Sequence, residues 1–96
     1  MSLSKYELVL SPAAKRDLKR LPLNIQKDIA GVHLLKIAEN PYEAGKPLVG
    51  ALRRERSYHF DRKPEYRIIY LVEKNLITIT LIGTREGLYK KAVRRR

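Results

Sequence analysis

Two arginines and a tyrosine near the end of the chain have the types and spacing suited to chemistry on a phosphate. Arg67 lies in Glu65-Tyr-Arg-Ile-Ile-Tyr70, and Arg85 and Tyr89 lie in Gly83-Thr-Arg-Glu-Gly-Leu-Tyr-Lys90. Arginine presents a planar, permanently charged fork that can hold a phosphate through two hydrogen bonds. We therefore expect Arg67 and Arg85, at the ends of neighbouring strands, to hold one phosphate and stabilise the charge that develops on it, with Tyr89 one turn further on.

Cleavage of RNA by its own 2′-hydroxyl is a reaction that such residues can serve. The hydroxyl must lose a proton, the phosphorane-like transition state carries additional negative charge, and the departing 5′-oxygen must gain a proton. Arginine can stabilise the charge but cannot act as the base, whereas histidine can accept or donate a proton near neutral pH. The reaction requires no metal or cofactor, and the sequence has only two, widely separated histidines and no carboxylates paired at ligand spacing.

His59 is the candidate group for proton transfer because strand periodicity places it on the same face as Arg67. The tyrosines and the phenylalanine of these two strands are the best core candidates, so His59 and Arg67 are expected on the face without helices. Arg54 and Arg56 share the parity of the core residues, which indicates that their strand leaves the core at its start or carries a bulge. Taken singly, each of these residues could be an ordinary surface side chain; their joint occurrence favours a function.

The remaining sequence predicts an α+β domain that positions these groups. Ser11-Pro12 is a helix start, and Asn40-Pro41 is a helix stop. The predicted order is an N-terminal strand at 6–10, a helical hairpin at 13–20 and 23–39, a loop at 41–50, an antiparallel meander with strands at 52–60, 66–72 and 77–82, and a short C-terminal tail from 86. His33 is expected to pack against the core. With 96 residues, the whole chain, 1–96, is expected to form one domain.

The charge of the chain points to an anionic partner. There are 21 basic and 10 acidic residues, a net charge of +11, and such a field attracts nucleic acid, an anionic membrane or an acidic protein. The absence of cysteine excludes disulfides, thiolate zinc sites and cysteine nucleophiles. No apolar run is long enough for a bilayer and no signal-peptide pattern opens the chain, so no membrane association and a cytoplasmic location are expected.

The order and spacing of several short motifs resemble the RelE/ParE superfamily of toxins from bacterial type II toxin–antitoxin modules. The resemblance extends from residue 6 to residue 90. The motifs that carry it are Ser11-Pro-Ala-Ala-Lys-Arg-Asp-Leu-Lys-Arg-Leu21, Asn40-Pro41, Lys46-Pro-Leu-Val-Gly50, Tyr66-Arg-Ile-Ile-Tyr70 and Gly83-Thr-Arg-Glu-Gly-Leu-Tyr-Lys90.

RelE-like members of this superfamily are ribosome-dependent endoribonucleases that leave a 2′,3′-cyclic phosphate. The resemblance implies that Arg67 and Arg85 are catalytic and that Tyr89 orients or stacks on the substrate. Many relatives have histidine where this chain has Thr84, so His59 is the candidate for the missing acid–base group. The family also has basic residues on its second strand, and the RNA-binding candidates of this chain are Arg53, Arg54, Arg56, Lys90 and Lys91.

The resemblance leaves a second class of function open. ParE-like members share the fold but inhibit DNA gyrase and do not cut RNA, and a degenerate toxin would retain antitoxin binding alone. In each case the expected partner is a cognate antitoxin with an acidic, foldable segment that wraps the basic face. A RelE-type protein would also bind messenger RNA on the ribosome, and a ParE-type protein would bind gyrase.

Overall fold

A mixed five-stranded sheet with helices packed on one face forms the framework of the computed structural model, which describes residues 5–48 and 54–88. The elements are β1 (Glu7–Leu10), α1 (Pro12–Lys19), α2 (Leu23–Asp28), a π-helical segment (Ile29–His33), α3 (Leu34–Glu39), α4 (Pro41–Ala44), β2 (Lys46–Pro47), β3 (Glu55–Phe60), β4 (Tyr66–Glu73) and β5 (Leu76–Thr84). The strands are ordered β1-β5-β4-β3-β2; β1 is parallel to β5 and the other pairs are antiparallel. The predicted α+β class, with its N-terminal strand, helical hairpin and antiparallel meander, is confirmed.

Helix α1 begins at the predicted Ser11-Pro12 start. The Ser11 hydroxyl accepts a hydrogen bond from the Ala14 amide at 3.1 Å, which satisfies one of the free N–H groups of the first turn. The Ser11 amide in turn donates to the Ile79 carbonyl at 2.9 Å. The helix start is therefore held directly against the central strand β5.

The long helix from α2 to α3 contains a wide π turn that changes which residues face the core. Ile29 and Ile37 are fully buried, whereas Val32 and Lys36, which a regular α-helix would place on the same face as Ile29, are exposed. A π turn adds a residue to the helical repeat, so the side chains that follow it are rotated about the axis. The predicted loop at 41–50 is also partly wrong, because it contains α4 and β2.

The main core lies between the helices and one face of the sheet. Its buried members include the predicted aromatic residues of β3 and β4, namely Tyr58, Phe60, Tyr66 and Tyr70. His33 packs beside them as predicted: its Nδ1 lies 2.7 Å from the Tyr58 hydroxyl, and its ring stacks on that of Phe60 with centroids 3.9 Å apart. Within the described ranges, no helix is both long enough and apolar enough to span a bilayer.

A buried carboxylate continues the hydrogen bonding of β5 where its neighbour ends. Strand β1 stops at Leu10, opposite Ile79, so the amide of Ile82 lies beyond its last residue. The Asp17 carboxylate of α1 accepts a hydrogen bond from this amide at 3.1 Å, and Asp17 is only 2% exposed. Helix α1 is therefore attached to the sheet by a buried side-chain hydrogen bond as well as by apolar packing.

The connection from α4 to β2 passes closely over the sheet. The buried Tyr70 hydroxyl donates to the Pro41 carbonyl at 2.6 Å. Next to it, a Cβ atom on Gly45 would overlap the Tyr70 hydroxyl and lie 2.9 Å from the Ser57 carbonyl oxygen. Glycine is therefore required at this position by close approach of the backbone to the sheet.

Candidate functional site

Two of the predicted catalytic residues face each other across adjacent strands. In the register of the sheet, His59 of β3 lies opposite Arg67 of β4, and Arg67 lies opposite Gly83 of β5. The neighbouring row, which contains Tyr58 and Ile68, belongs to the helix-covered core. Because side chains alternate along a strand, the row with His59 and Arg67 is on the opposite face of the sheet.

Arg85 is brought to the same end of the sheet by the turn that follows β5. Its amide donates to the Glu65 carbonyl at 3.1 Å. Residues 85–88 then form a helical turn, and the Thr84 hydroxyl accepts from the Gly87 amide at 3.3 Å. Thr84 therefore acts as an N-cap of this turn and fixes the start of the segment that carries Arg85.

A small second core lies on the same face as the His59–Arg67 row. It consists of Ile69 and Leu81 from the sheet, Leu88 from the final turn, and the partly buried Leu48. The Leu88 side chain also approaches Gly83, where an added Cβ would lie 3.3 Å from its Cδ2 atom. Packing of Leu88 against the sheet thus holds the turn after Arg85 down on this face.

Glu65 adds a carboxylate that the sequence analysis did not include in the site. Its Oε2 accepts a hydrogen bond from Arg67 Nε at 2.7 Å, and the Arg67 and Glu65 side chains are 14% and 30% exposed. This hydrogen bond, together with the positive charges of Arg67 and Arg85, holds the pKa of the Glu65 carboxyl below its usual value. Glu65 could have been found from strand periodicity, because it lies two residues before Arg67.

Lys46 is a second contributor that the sequence analysis missed. It lies in β2 opposite Ser57, which is two residues before His59 on β3. Its positive charge acts on His59. The sequence predicted a loop at 41–50, because a strand of two residues is too short to show an alternating pattern.

The surroundings of His59 favour the neutral form of its imidazole. The pKa of His59 lies below its usual value, first because partial burial removes hydration of the ring and then because Arg67, Lys46 and Arg85 are positively charged; the carboxylate of Glu65 opposes the shift. A neutral imidazole can accept a proton. We define the cationic row as His59, Glu65 and Arg67 with the adjoining Lys46 and Arg85.

Two of the predicted RNA-binding arginines lie away from the cationic row. Arg56 has the parity of the core residues, and its Nη2 donates to the carbonyls of Tyr42 at 2.6 Å and Gly45 at 2.8 Å. Arg54 is exposed beside Glu73, with 3.8 Å between the charged atoms, at the opposite end of β4 from Arg67. Arg56 therefore fastens the α4–β2 connection from the core face, opposite the buried Tyr70, and β3 has no bulge between Glu55 and Phe60.

The other predicted site residues, Tyr89, Arg53, Lys90 and Lys91, lie outside the described residues. Within residues 5–48 and 54–88, no group of three or more histidine, aspartate or glutamate side chains is arranged to hold a metal ion. The cationic row can bind an anion through its arginines and lysine, and its neutral histidine can accept a proton.

Comparison with known proteins relates the chain to bacterial toxins. A family model described as the ParE toxin of the type II toxin–antitoxin system parDE matches residues 8–89. The protein Toxin RelE of Mycobacterium tuberculosis is 29% identical over 87 residues, which cover 88% of this chain and 87% of that protein.

Solved structures of toxins share the fold. A chain of the toxin–antitoxin complex RelBE2 from M. tuberculosis matches with a TM-score of 0.75 and 24% identity, over 83% of this chain and 98% of that one. The isolated RelE toxin of E. coli matches with a TM-score of 0.67 and 23% identity, over 94% of this chain and 97% of that one.

Proposed function

Because this chain belongs to the ParE toxin family of type II toxin–antitoxin systems, we propose that its toxic activity is RelE-type: ribosome-dependent, metal-independent cleavage of messenger RNA. The observation that carries the proposal is the pairing of His59 with Arg67 on neighbouring strands, with Arg85 at the same end of the sheet. This arrangement combines a proton acceptor with two phosphate-binding groups. The similarity to Toxin RelE of M. tuberculosis supports the same activity.

In the proposed reaction, neutral His59 accepts the proton of the 2′-hydroxyl. The 2′-oxygen attacks the adjacent phosphorus, and the bond from phosphorus to the 5′-oxygen breaks, leaving a 2′,3′-cyclic phosphate and a 5′-hydroxyl. The 5′-oxygen takes its proton from solvent. Arg67 and Arg85 hold the phosphate oxygens and stabilise the extra charge of the transition state. One well-placed donor to such a charge contributes roughly 3 kcal/mol, or about a hundredfold or more in rate.

The same positive surface is proposed to bind both the substrate and the antitoxin. Messenger RNA on the ribosome is a polyanion, and electrostatic attraction brings it to the +11 chain. An antitoxin with an acidic segment would cover the cationic row and exclude RNA from it. That a chain of the RelBE2 toxin–antitoxin complex shares this fold supports a partner of this kind. The proposed place of action is the cytoplasm, where the ribosomes are.

Inhibition of DNA gyrase is the second candidate function. The specific observation that favours it is that the matching family model is the one named for ParE. This activity requires a surface for gyrase and makes no demand on a proton acceptor, so the His59–Arg67 pairing would then have no catalytic use.

The deciding experiment uses purified protein in two parallel assays. New messenger ends are mapped in a purified translation system with and without ribosomes, and supercoiling by purified gyrase is measured. We expect new ends only when ribosomes are present. Loss of supercoiling without new ends would establish the ParE-type activity instead, and a lack of both effects would indicate a degenerate toxin.

Variants of the two arginines connect the activity to the site. Arg67→Ala and Arg85→Ala are each expected to relieve growth arrest on expression and to slow cleavage about a hundredfold. Arg16→Ala is the matched control, because Arg16 is an exposed arginine on α1, which packs on the other face of the sheet. If the Arg67 and Arg85 variants fold and remain as toxic as the control, the cationic row is not the site.

A further inference from the structure

The ion pair between Glu65 and Arg67 has a fixed geometry that a surface pair lacks. The carboxylate oxygen lies 2.7 Å from Arg67 Nε, and the two side chains are 30% and 14% exposed. At the other end of β4, Arg54 and Glu73 are separated by 3.8 Å and are 77% and 56% exposed. Long, exposed pairs of the second kind contribute little to stability or order. The first pair restrains a guanidinium at the proposed site.

The position of the carboxylate decides which edge of the guanidinium remains available. A guanidinium can bind an oxyanion side-on, through Nε and one terminal nitrogen, or end-on, through its two terminal nitrogens. Glu65 occupies Nε, so the side-on edge is taken. The two terminal nitrogens, Nη1 and Nη2, form the edge that can receive a second anion. A carboxylate on Nε also opposes rotation of the planar group.

We propose that Glu65 is a positioning residue, which orients Arg67 so that it holds the scissile phosphate end-on through Nη1 and Nη2. The inference rests on the proposed function, since it assigns a substrate contact to Arg67. Glu65 itself touches neither the phosphate nor the 2′-hydroxyl. Its negative charge is matched by Arg67, so the cationic row retains its attraction for RNA through Lys46 and Arg85.

A role for Glu65 as the general base is less consistent with the same contacts. Its carboxylate is engaged by Arg67, and that hydrogen bond stabilises the ionised form. A carboxylate stabilised in this way is a weak proton acceptor near neutral pH, where an effective base has a pKa close to the working pH. His59, on the neighbouring strand, is better suited to that role.

Three variants separate positioning from charge. Glu65→Ala and Glu65→Gln both remove the negative charge, but glutamine keeps an oxygen that can accept from Arg67 Nε. Glu73→Ala removes an exposed carboxylate from the same strand and is the control. Single-turnover cleavage is measured on programmed ribosomes with saturating toxin, and the Arg67 Nε–H resonance is followed by NMR in the free protein. Thermal unfolding of each variant shows whether it is folded.

We expect Glu65→Ala to cleave about 10- to 100-fold more slowly, the loss typical of a misplaced catalytic group. Glu65→Gln is expected to cleave at close to the wild-type rate, and both variants to bind ribosomes equally well. The Nε–H resonance should be sharp and protected from exchange in the wild type and Glu65→Gln, and broadened in Glu65→Ala. Glu73→Ala should behave as the wild type in both measurements.

Several results would overturn the inference. Equal loss of cleavage in Glu65→Gln and Glu65→Ala would mean that the charge or basicity of Glu65 matters, and faster cleavage by Glu65→Ala would mean that Glu65 blocks Arg67. Wild-type cleavage by Glu65→Ala would deny it any role. If the wild-type protein cleaves no RNA, the proposed function fails and the end-on assignment fails with it, whereas an unprotected Nε–H resonance in an active wild-type protein would refute the positioning alone.

Discussion

Replacing His59 by glutamine is expected to remove the acid limb of the pH–rate profile. General-base catalysis contributes about 10²- to 10⁴-fold, so a loss of this size is expected at neutral pH. The pKa of His59 lies below its usual value because of lost hydration and the surrounding positive charges. The wild-type rate should therefore stay level to a lower pH than an unperturbed histidine would allow, and should fall about tenfold for each further pH unit below the His59 pKa.

The assay is single-turnover cleavage of a labelled message on stalled, programmed ribosomes at saturating toxin, across the pH range in which the ribosomes stay intact. His33→Gln is the control, because His33 is the other histidine of the chain and faces the core, bonded to Tyr58. His59 is exposed, so its replacement should leave the fold intact. If His59→Gln keeps the acid limb, or if His33→Gln loses it, His59 is not the base.

Three further predictions concern the framework and the binding mode. Asp17→Ala should lower the free energy of unfolding by about 1–3 kcal/mol, because it leaves the buried Ile82 amide without this acceptor. The corresponding fall in Tm is about 5–20 °C. The exposed control, Asp28→Ala, should change Tm little, and equal Tm values for the two variants would contradict a stabilising role for the Asp17–Ile82 hydrogen bond. Gly45→Ala should lower the free energy of unfolding, measured in urea, by about 1–3 kcal/mol, because the added methyl overlaps the sheet. Gly31→Ala should be neutral or stabilising, because no atom lies within 4 Å of its added methyl. A greater loss of stability in Gly31→Ala than in Gly45→Ala would refute the close approach at Gly45. The logarithm of the association constant for ribosomes should fall linearly with the logarithm of the salt concentration, with a slope of about −0.7 to −0.9 for each phosphate contact. An association constant that does not change with salt would exclude electrostatic binding.

The site geometry that could be predicted from the sequence is the part fixed by strand periodicity. Aromatic residues at alternate positions of β3 and β4 identified the core face, and the two-residue period then placed His59 and Arg67 together on the other face. The same parity places Arg56, predicted to bind RNA, on the core face, where its guanidinium donates to the Tyr42 and Gly45 carbonyls. Periodicity is reliable here because a shift of one residue would expose every aromatic side chain of the strand.

Features that depend on tertiary contacts were not accessible in this way. The π turn at Ile29–His33 interrupts the regular helical period without a proline to mark it. Strand β2 contains two residues, one of them a proline, and exists because it pairs with β3. Strand periodicity places Glu65 on the same face as Arg67, but the ion pair that makes it a site residue is a side-chain contact that the sequence does not reveal.

The parallel pairing of β1 with β5 has a consequence for how the toxin is made. Glu7 to Leu10 are translated well before Leu76 to Ile79, which are their neighbours in the sheet. Pairing of segments so distant in the chain slows folding, and it has to wait for the last strand to emerge. A nascent chain that ends before Leu76 therefore lacks β5, the strand that joins β1 to the rest of the sheet.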